Sequence, residues 1–301
     1  MLYLLIALAA ITLIILPLKF FSVKVIYTPQ AIMVNYGCAL VIALVSTHGA
    51  IATATASKIL HTHWWYLALI TGLLYFGSMN VMAVSTRRTG VSLTTMASRT
   101  SVILPIIWAA AFLGNSITGW EIVGILLVLL AFTLIIYRPE AETRQADRKG
   151  IKDILLPISV FLSVGFIGVC MKTSQHIIKS YGTYATDYPV FETLLFAAAF
   201  VGSIIYYAAS EGTRAFRIEW KSIAGGLCVG RLNPVVTFGA MHELKSLPPR
   251  TYSRIYKRGT VLITPIIGIT VFGEHLDRRK ITGICCAAAA ICVLGFLGKS
   301  L

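Results

Sequence analysis

Ten apolar runs, each near the length needed to cross a bilayer, constrain this chain more than any other feature. They fall at about 2–21, 30–47, 64–85, 91–114, 120–137, 154–174, 188–209, 222–242, 249–272 and 281–298. A helix rises about 1.5 Å per residue, so about 20 mostly apolar residues span a hydrocarbon core about 30 Å thick. Backbone amides cannot stay unpaired in that core, which makes helices the form such runs take. Composition agrees: 57% of the 301 residues are hydrophobic and 13% are charged, against about a quarter charged in a soluble domain. The expected fold is an all-α polytopic membrane protein with ten transmembrane helices. The first run, from Met1 to Phe21, has no positively charged leader and no small-residue cleavage site. It reads as a helix and not as a removable signal.

A net charge of +14 raises the question of a nucleic-acid partner. Much of it sits in short loops between apolar runs, as in Arg87-Arg88, Arg214/Arg217/Lys221 and Arg278-Arg279-Lys280. Such clusters set orientation and meet anionic lipid headgroups, so the bilayer is the expected partner and nucleic acid is not. Loop lysines and arginines are richer on the side holding Lys19, Arg87, Arg138, Arg214 and Arg278. That side is expected in the cytoplasm and both termini outside, in a plasma (inner) membrane.

The six cysteines lie in apolar segments without paired C-x-x-C spacing, so neither a zinc site nor a disulfide framework is indicated. His61-Thr62-His63 lacks further ligands. No metal and no cofactor is expected.

The longest polar interval, RPEAETRQADRKGIKD over 138–153, divides five spans from five. A shift of 159 residues aligns Arg99-Thr100-Ser101-Val102 with Arg258-Gly259-Thr260-Val261. The same shift aligns Leu113-Gly114-Asn115 with Phe272-Gly273-Glu274 and Gly124 with Gly283. One register therefore holds across a helix, a loop and the next helix. The expected organisation is a first five-helix repeat over 1–137, a charged linker over 138–153 and a second five-helix repeat over 154–301. Because five is odd, two similar halves must be inverted relative to each other, a recurring design of secondary transporters.

The stretch TRRTGVSLTTMASRTSVILP over 86–105, with Leu113-Gly114 and Gly124 after it, resembles the first repeat of the drug/metabolite transporter superfamily, EamA type. LKSLPP over 244–249, GTVLITPIIGITVFGE over 259–274 and Gly283 resemble its second repeat. The resemblance covers nearly the whole chain in layout. It implies a ten-helix basket whose solute cavity is lined largely by the third, fourth, eighth and ninth helices. One departure is basic: the ninth run begins Arg250-Thr251-Tyr252-Ser253-Arg254-Ile255-Tyr256-Lys257-Arg258, where relatives carry small or apolar residues.

An ionisable residue within a span is costly unless it faces water, a partner or a cavity. Those within these spans are mostly basic: Arg99, Arg231, Arg254, Lys257 and Arg258, with Lys172 near a helix end. Glu192 is placed about one turn into the seventh run. Arg99 and Arg258 occupy repeat-equivalent positions, and two guanidinium forks presented to one cavity suit a carboxylate or phosphate. Lys257-Arg258 also looks like the basic pair that sugar-phosphate translocators of the same superfamily present to phosphate. Tyr75, Asn80 and Tyr256 are candidate polar lining, with Tyr252 and Asn233. Helix-to-helix bonding or interfacial anchoring competes as an explanation for these five. Snorkelling to headgroups competes for the basic residues of the ninth run. Pro105, Pro234 and Pro265 are expected to bend their helices, and Trp64-Trp65 to form an interfacial belt.

No H-E-x-x-H or G-x-S-x-G occurs, and the spans hold no Asp, so catalysis is not expected. The expected function is a secondary transporter moving a small organic solute by alternating access, with an anionic solute foremost. An amino-acid or drug exporter is the alternative within the class, and a non-transporting membrane scaffold the alternative outside it. A basic pathway favours facilitated diffusion or exchange over proton antiport.

Overall fold

The computed structural model describes residues 27–47, 62–101, 103–114, 119–136, 151–211 and 219–231, with single helical positions between 282 and 293. The expected spans at 2–21 and 249–272 lie outside the described residues. So do most of those at 222–242 and 281–298, and most of the linker at 138–153.

Among the described residues the protein is all-helical. Seven helices follow in order: α1 (Thr28–Ser46), α2 (Trp65–Thr89), α3 (Val91–Thr100), α4 (Ile103–Phe112), α5 (Gly119–Ile136), α6 (Ile151–Ser180) and α7 (Tyr184–Glu211). A further helical stretch covers 220–231. Four helices, α1, α2, α6 and α7, contain segments long and apolar enough to cross a membrane. With 30 and 28 residues, α6 and α7 run about 45 and 42 Å, longer than a hydrocarbon core. Their outer faces carry Leu162, Phe166, Val201 and Ile205 exposed, a surface suited to lipid and not to water.

The run at 91–114 is two helices. Pro105 has no N–H to give to the Ser101 carbonyl four residues back, and that carbonyl instead accepts the Leu104 amide at 3.1 Å. The Ser101 hydroxyl turns back to the Ser98 carbonyl at 2.6 Å, and α3 ends there. In the other direction, α6 outlasts the expected span end at 174. Thr173 and Ser174 bond back to the carbonyls of Val169 and Cys170, at 2.9 and 2.8 Å, so these hydroxyls are satisfied on the helix that carries them.

The chain divides by packing into two compact units. One comprises Met1–Thr12, Val84–Gly165 and Val236–Leu301, the other Leu13–Ala83 and Phe166–Val235. Each of these units draws on residues from both sides of the 138–153 interval. In the first unit, Ile103 and Ile106 are buried against Leu104, Ile125, Leu127 and Phe161. In the second, α1 packs along α7. At Gly72 on α2 a β-carbon would meet the Leu195 carbonyl and come within 2.7 Å of the Ala198 β-carbon, so only glycine admits this approach of α7. The stretch 220–231 docks on α1 through polar ends: the Tyr27 amide donates to Ser222 Oγ at 2.9 Å, and the Glu219 amide to Gln30 Oε1 at 3.2 Å.

Candidate functional site

The second unit holds a line of buried polar groups within this apolar framework. Where α6 turns into α7, Gly182 takes a φ of 70°. Thr183 then opens α7, its hydroxyl donating to Asp187 Oδ2 at 2.6 Å while the Asp187 amide donates to the Thr183 carbonyl at 2.9 Å. The acidic first turn suits the positive end of the helix dipole. Eight residues past Tyr184 comes Glu192, so its backbone lies about 12 Å along the helix.

Glu192 is only 5% exposed. Tyr188, one turn back, hydrogen-bonds its carboxylate, and Tyr75 of α2 interacts with it electrostatically. The Tyr75 carbonyl in turn accepts the buried Tyr36 hydroxyl of α1 at 2.8 Å. Three helices therefore contribute to one polar line. Tyr188 also stacks on Phe191 at 6.0 Å, and Trp64 meets Phe191 edge-on at 6.2 Å. The carboxylate is incompletely satisfied, since Glu192 Oε1 has no hydrogen-bond partner among the described residues, and neither has the buried Trp64 Nε1. Most buried polar atoms in proteins are paired, and an unpaired carboxylate oxygen costs more than a neutral one.

Of the expected site residues, Tyr75 belongs to this line. Asn80 lies on the same helix, partly buried, with its amide donating to the Phe76 carbonyl at 2.9 Å. Arg99 is the penultimate residue of α3. Arg258, Lys257 and Tyr256 lie outside the described residues. Arg231 closes the 220–231 stretch and is exposed, within electrostatic reach of Cys38. Trp64 is 1% exposed and packs inward on Phe191, so the pair Trp64-Trp65 is split. Trp65 alone sits partly exposed, edge-on to Tyr66 at 6.1 Å.

Sequence reasoning places Glu192 about one turn into the seventh run, which it begins at 188. The helix begins one turn earlier, at Tyr184. The signal that could have found it is Thr183 with Asp187, a hydroxyl and a carboxylate spaced as a helix start.

No protein-family model matches the sequence. An uncharacterized protein of Haemophilus influenzae is 24% identical over 238 residues, covering 78% of this chain and 76% of that protein. The chain of a solved crystal structure superposes with a TM-score of 0.57 at 12% identity, over 99% of this chain and 96% of the other. At that identity the likeness concerns the fold alone.

Proposed function

We propose that this protein is a secondary transporter of the drug/metabolite transporter superfamily, EamA type, moving a small organic solute by alternating access. In this reading it has ten membrane-spanning helices in two inverted five-helix repeats, and it resides in a plasma (inner) membrane. The observation that carries it is the polar line of Tyr36, Tyr188 and Glu192, all buried, with partly buried Tyr75, inside helices whose outer faces are apolar. A scaffold gains nothing from a half-satisfied carboxylate held away from water, whereas a carrier needs polar groups at depth to meet its cargo.

For the solute we favour an organic anion held by Arg99 and Arg258, with Lys257 beside them, because paired guanidinium groups match a carboxylate or phosphate. A second reading, an amino-acid or drug exporter, is favoured by Glu192, whose unpaired oxygen complements an ammonium group. Proteoliposomes of the purified protein, loaded in turn with organic anions and amino acids, test both. Flux of an anion that Arg258→Ala abolishes supports the first reading. Flux of amino-bearing solutes alone supports the second, and no flux with any of them removes the transporter reading.

A further inference from the structure

Three features of Glu192 call for a role that packing does not supply. It is buried, it lies two helical turns from the nearest helix end, and one of its oxygens has no partner among the described residues. A carboxylate that merely tied helices together would be bonded at both oxygens, because the desolvation cost is otherwise uncompensated. Here Tyr188 on α7 serves the carboxylate from its own helix, and Tyr75 of α2 is within electrostatic reach of it. Tyr36 on α1 adds its hydroxyl to the Tyr75 carbonyl. On α6, Lys172 is as far from the α6–α7 turn as Glu192 is, eight residues from the end of its helix, so it shares that level in sequence position.

From this arrangement we propose that Glu192 is a proton-binding group, and that its protonation and release couple the carrier to a proton gradient. The coupling half of the inference rests on the transporter reading above; the proton-binding half does not. It also replaces the sequence-based expectation of uncoupled exchange. A proton suits the site better than a metal ion does. Calcium and magnesium take about six or more oxygen ligands, and no cluster of three His, Cys, Asp or Glu side chains occurs among the described residues. A proton is the cation that needs no further ligands. The step balances simply. Water on one side yields a proton, an O–H bond forms at the carboxylate, and in the alternate state that bond breaks and the proton returns to water on the other side. The protonated form removes the charge from the buried position, which is the form able to reorient within an apolar bundle.

Infrared difference spectroscopy on the full-length protein in lipid nanodiscs, between acidic and alkaline pH, reads the carboxyl group directly. The expected result is a carboxyl C=O band that appears on acidification, is lost in Glu192→Gln, moves in Glu192→Asp, and does not respond to replacing potassium with sodium. Absence of any band attributable to Glu192, or a band that follows sodium and not pH, overturns proton binding. Proteoliposomes with an imposed pH gradient and a panel of amino acids and organic anions read the coupling. Gradient-driven accumulation that falls at least about tenfold in Glu192→Gln, and that keeps its gradient dependence with a shifted pH profile in Glu192→Asp, supports it. Accumulation indifferent to the gradient overturns coupling while leaving the carrier reading intact. A protein that moves nothing in the panel overturns the carrier reading and the coupling with it, whatever the infrared band reports.

Discussion

Two buried polar clusters, one in each packing unit, are finished to different degrees. At the α2–α3 turn, the Ser85 hydroxyl meets Thr94 Oγ1 at 2.7 Å and Thr89 Oγ1 at 3.1 Å. Thr89 also donates to the Ser85 carbonyl at 2.8 Å and Thr94 to the Gly90 carbonyl at 2.9 Å. Every hydroxyl there is engaged, and the cluster explains itself as the clasp that reverses the chain between α2 and α3. Around Glu192 the tyrosines are placed with equal care, yet a carboxylate oxygen is left over. Neutral hydroxyls that satisfy one another contribute to stability. A buried carboxylate short of a partner subtracts from it, and its retention points to work done elsewhere in a cycle.

Substitutions can break this contrast. The largest effect is expected outside both clusters, at the close approach that brings α7 and Glu192 against α2. Gly72→Val drives a branched side chain into the Leu195 carbonyl and the Ala198 β-carbon and should cost about 3 kcal/mol, read as a lower unfolding temperature and poor recovery of monodisperse protein. Recovery equal to wild type would mean that α2 and α7 do not meet as closely as described. Next, Thr94→Val removes two bonds from the finished cluster and should lower stability by about 1–2 kcal/mol, with solute flux per folded molecule unchanged. The smallest effect is expected from Tyr36→Phe, which deletes one hydroxyl-to-carbonyl bond for about 1 kcal/mol. Because that bond lies in the unfinished line, flux should fall along with stability. A stability loss with flux intact would make Tyr36 a packing residue like Thr94.

The helical, membrane-compatible character was legible because hydrophobic runs of bilayer length have few other solutions. Helix ends were less legible. A linear reading ends the sixth run at Ser174, but α6 continues to Ser180, with the Thr173 and Ser174 hydroxyls satisfied on their own helix. The division of the 91–114 run follows from a rule about proline donors, visible at Pro105 in advance, although where α3 would end depends on the hydroxyls of Ser101 and Ser98's carbonyl. Within the site, Tyr75 was reachable as a polar group on an apolar helix. Glu192 was visible as an ionisable residue in a span, but its partnership with Tyr188 and Tyr75 was not. Nor were the roles of Tyr36 and Trp64, for burial and partnership depend on which faces meet, and the meeting of α2 and α7 turns on small residues such as Gly72 that carry no chemical signal of their own. Arg99 and Arg258 were singled out for their repeat-related positions, which is an argument about symmetry and independent of packing.

The contrast between the clusters comes to its sharpest point in Glu192→Leu, with unfolding temperature and gradient-driven flux measured on the same preparation in the same lipid. Replacing an incompletely paired buried carboxylate by an apolar side chain of similar size should raise stability by about 1–4 kcal/mol and abolish gradient-driven flux. A variant that unfolds at a lower temperature than wild type and still carries solute up a proton gradient would contradict the account, since Glu192 would then be a structural residue of the same kind as Thr94.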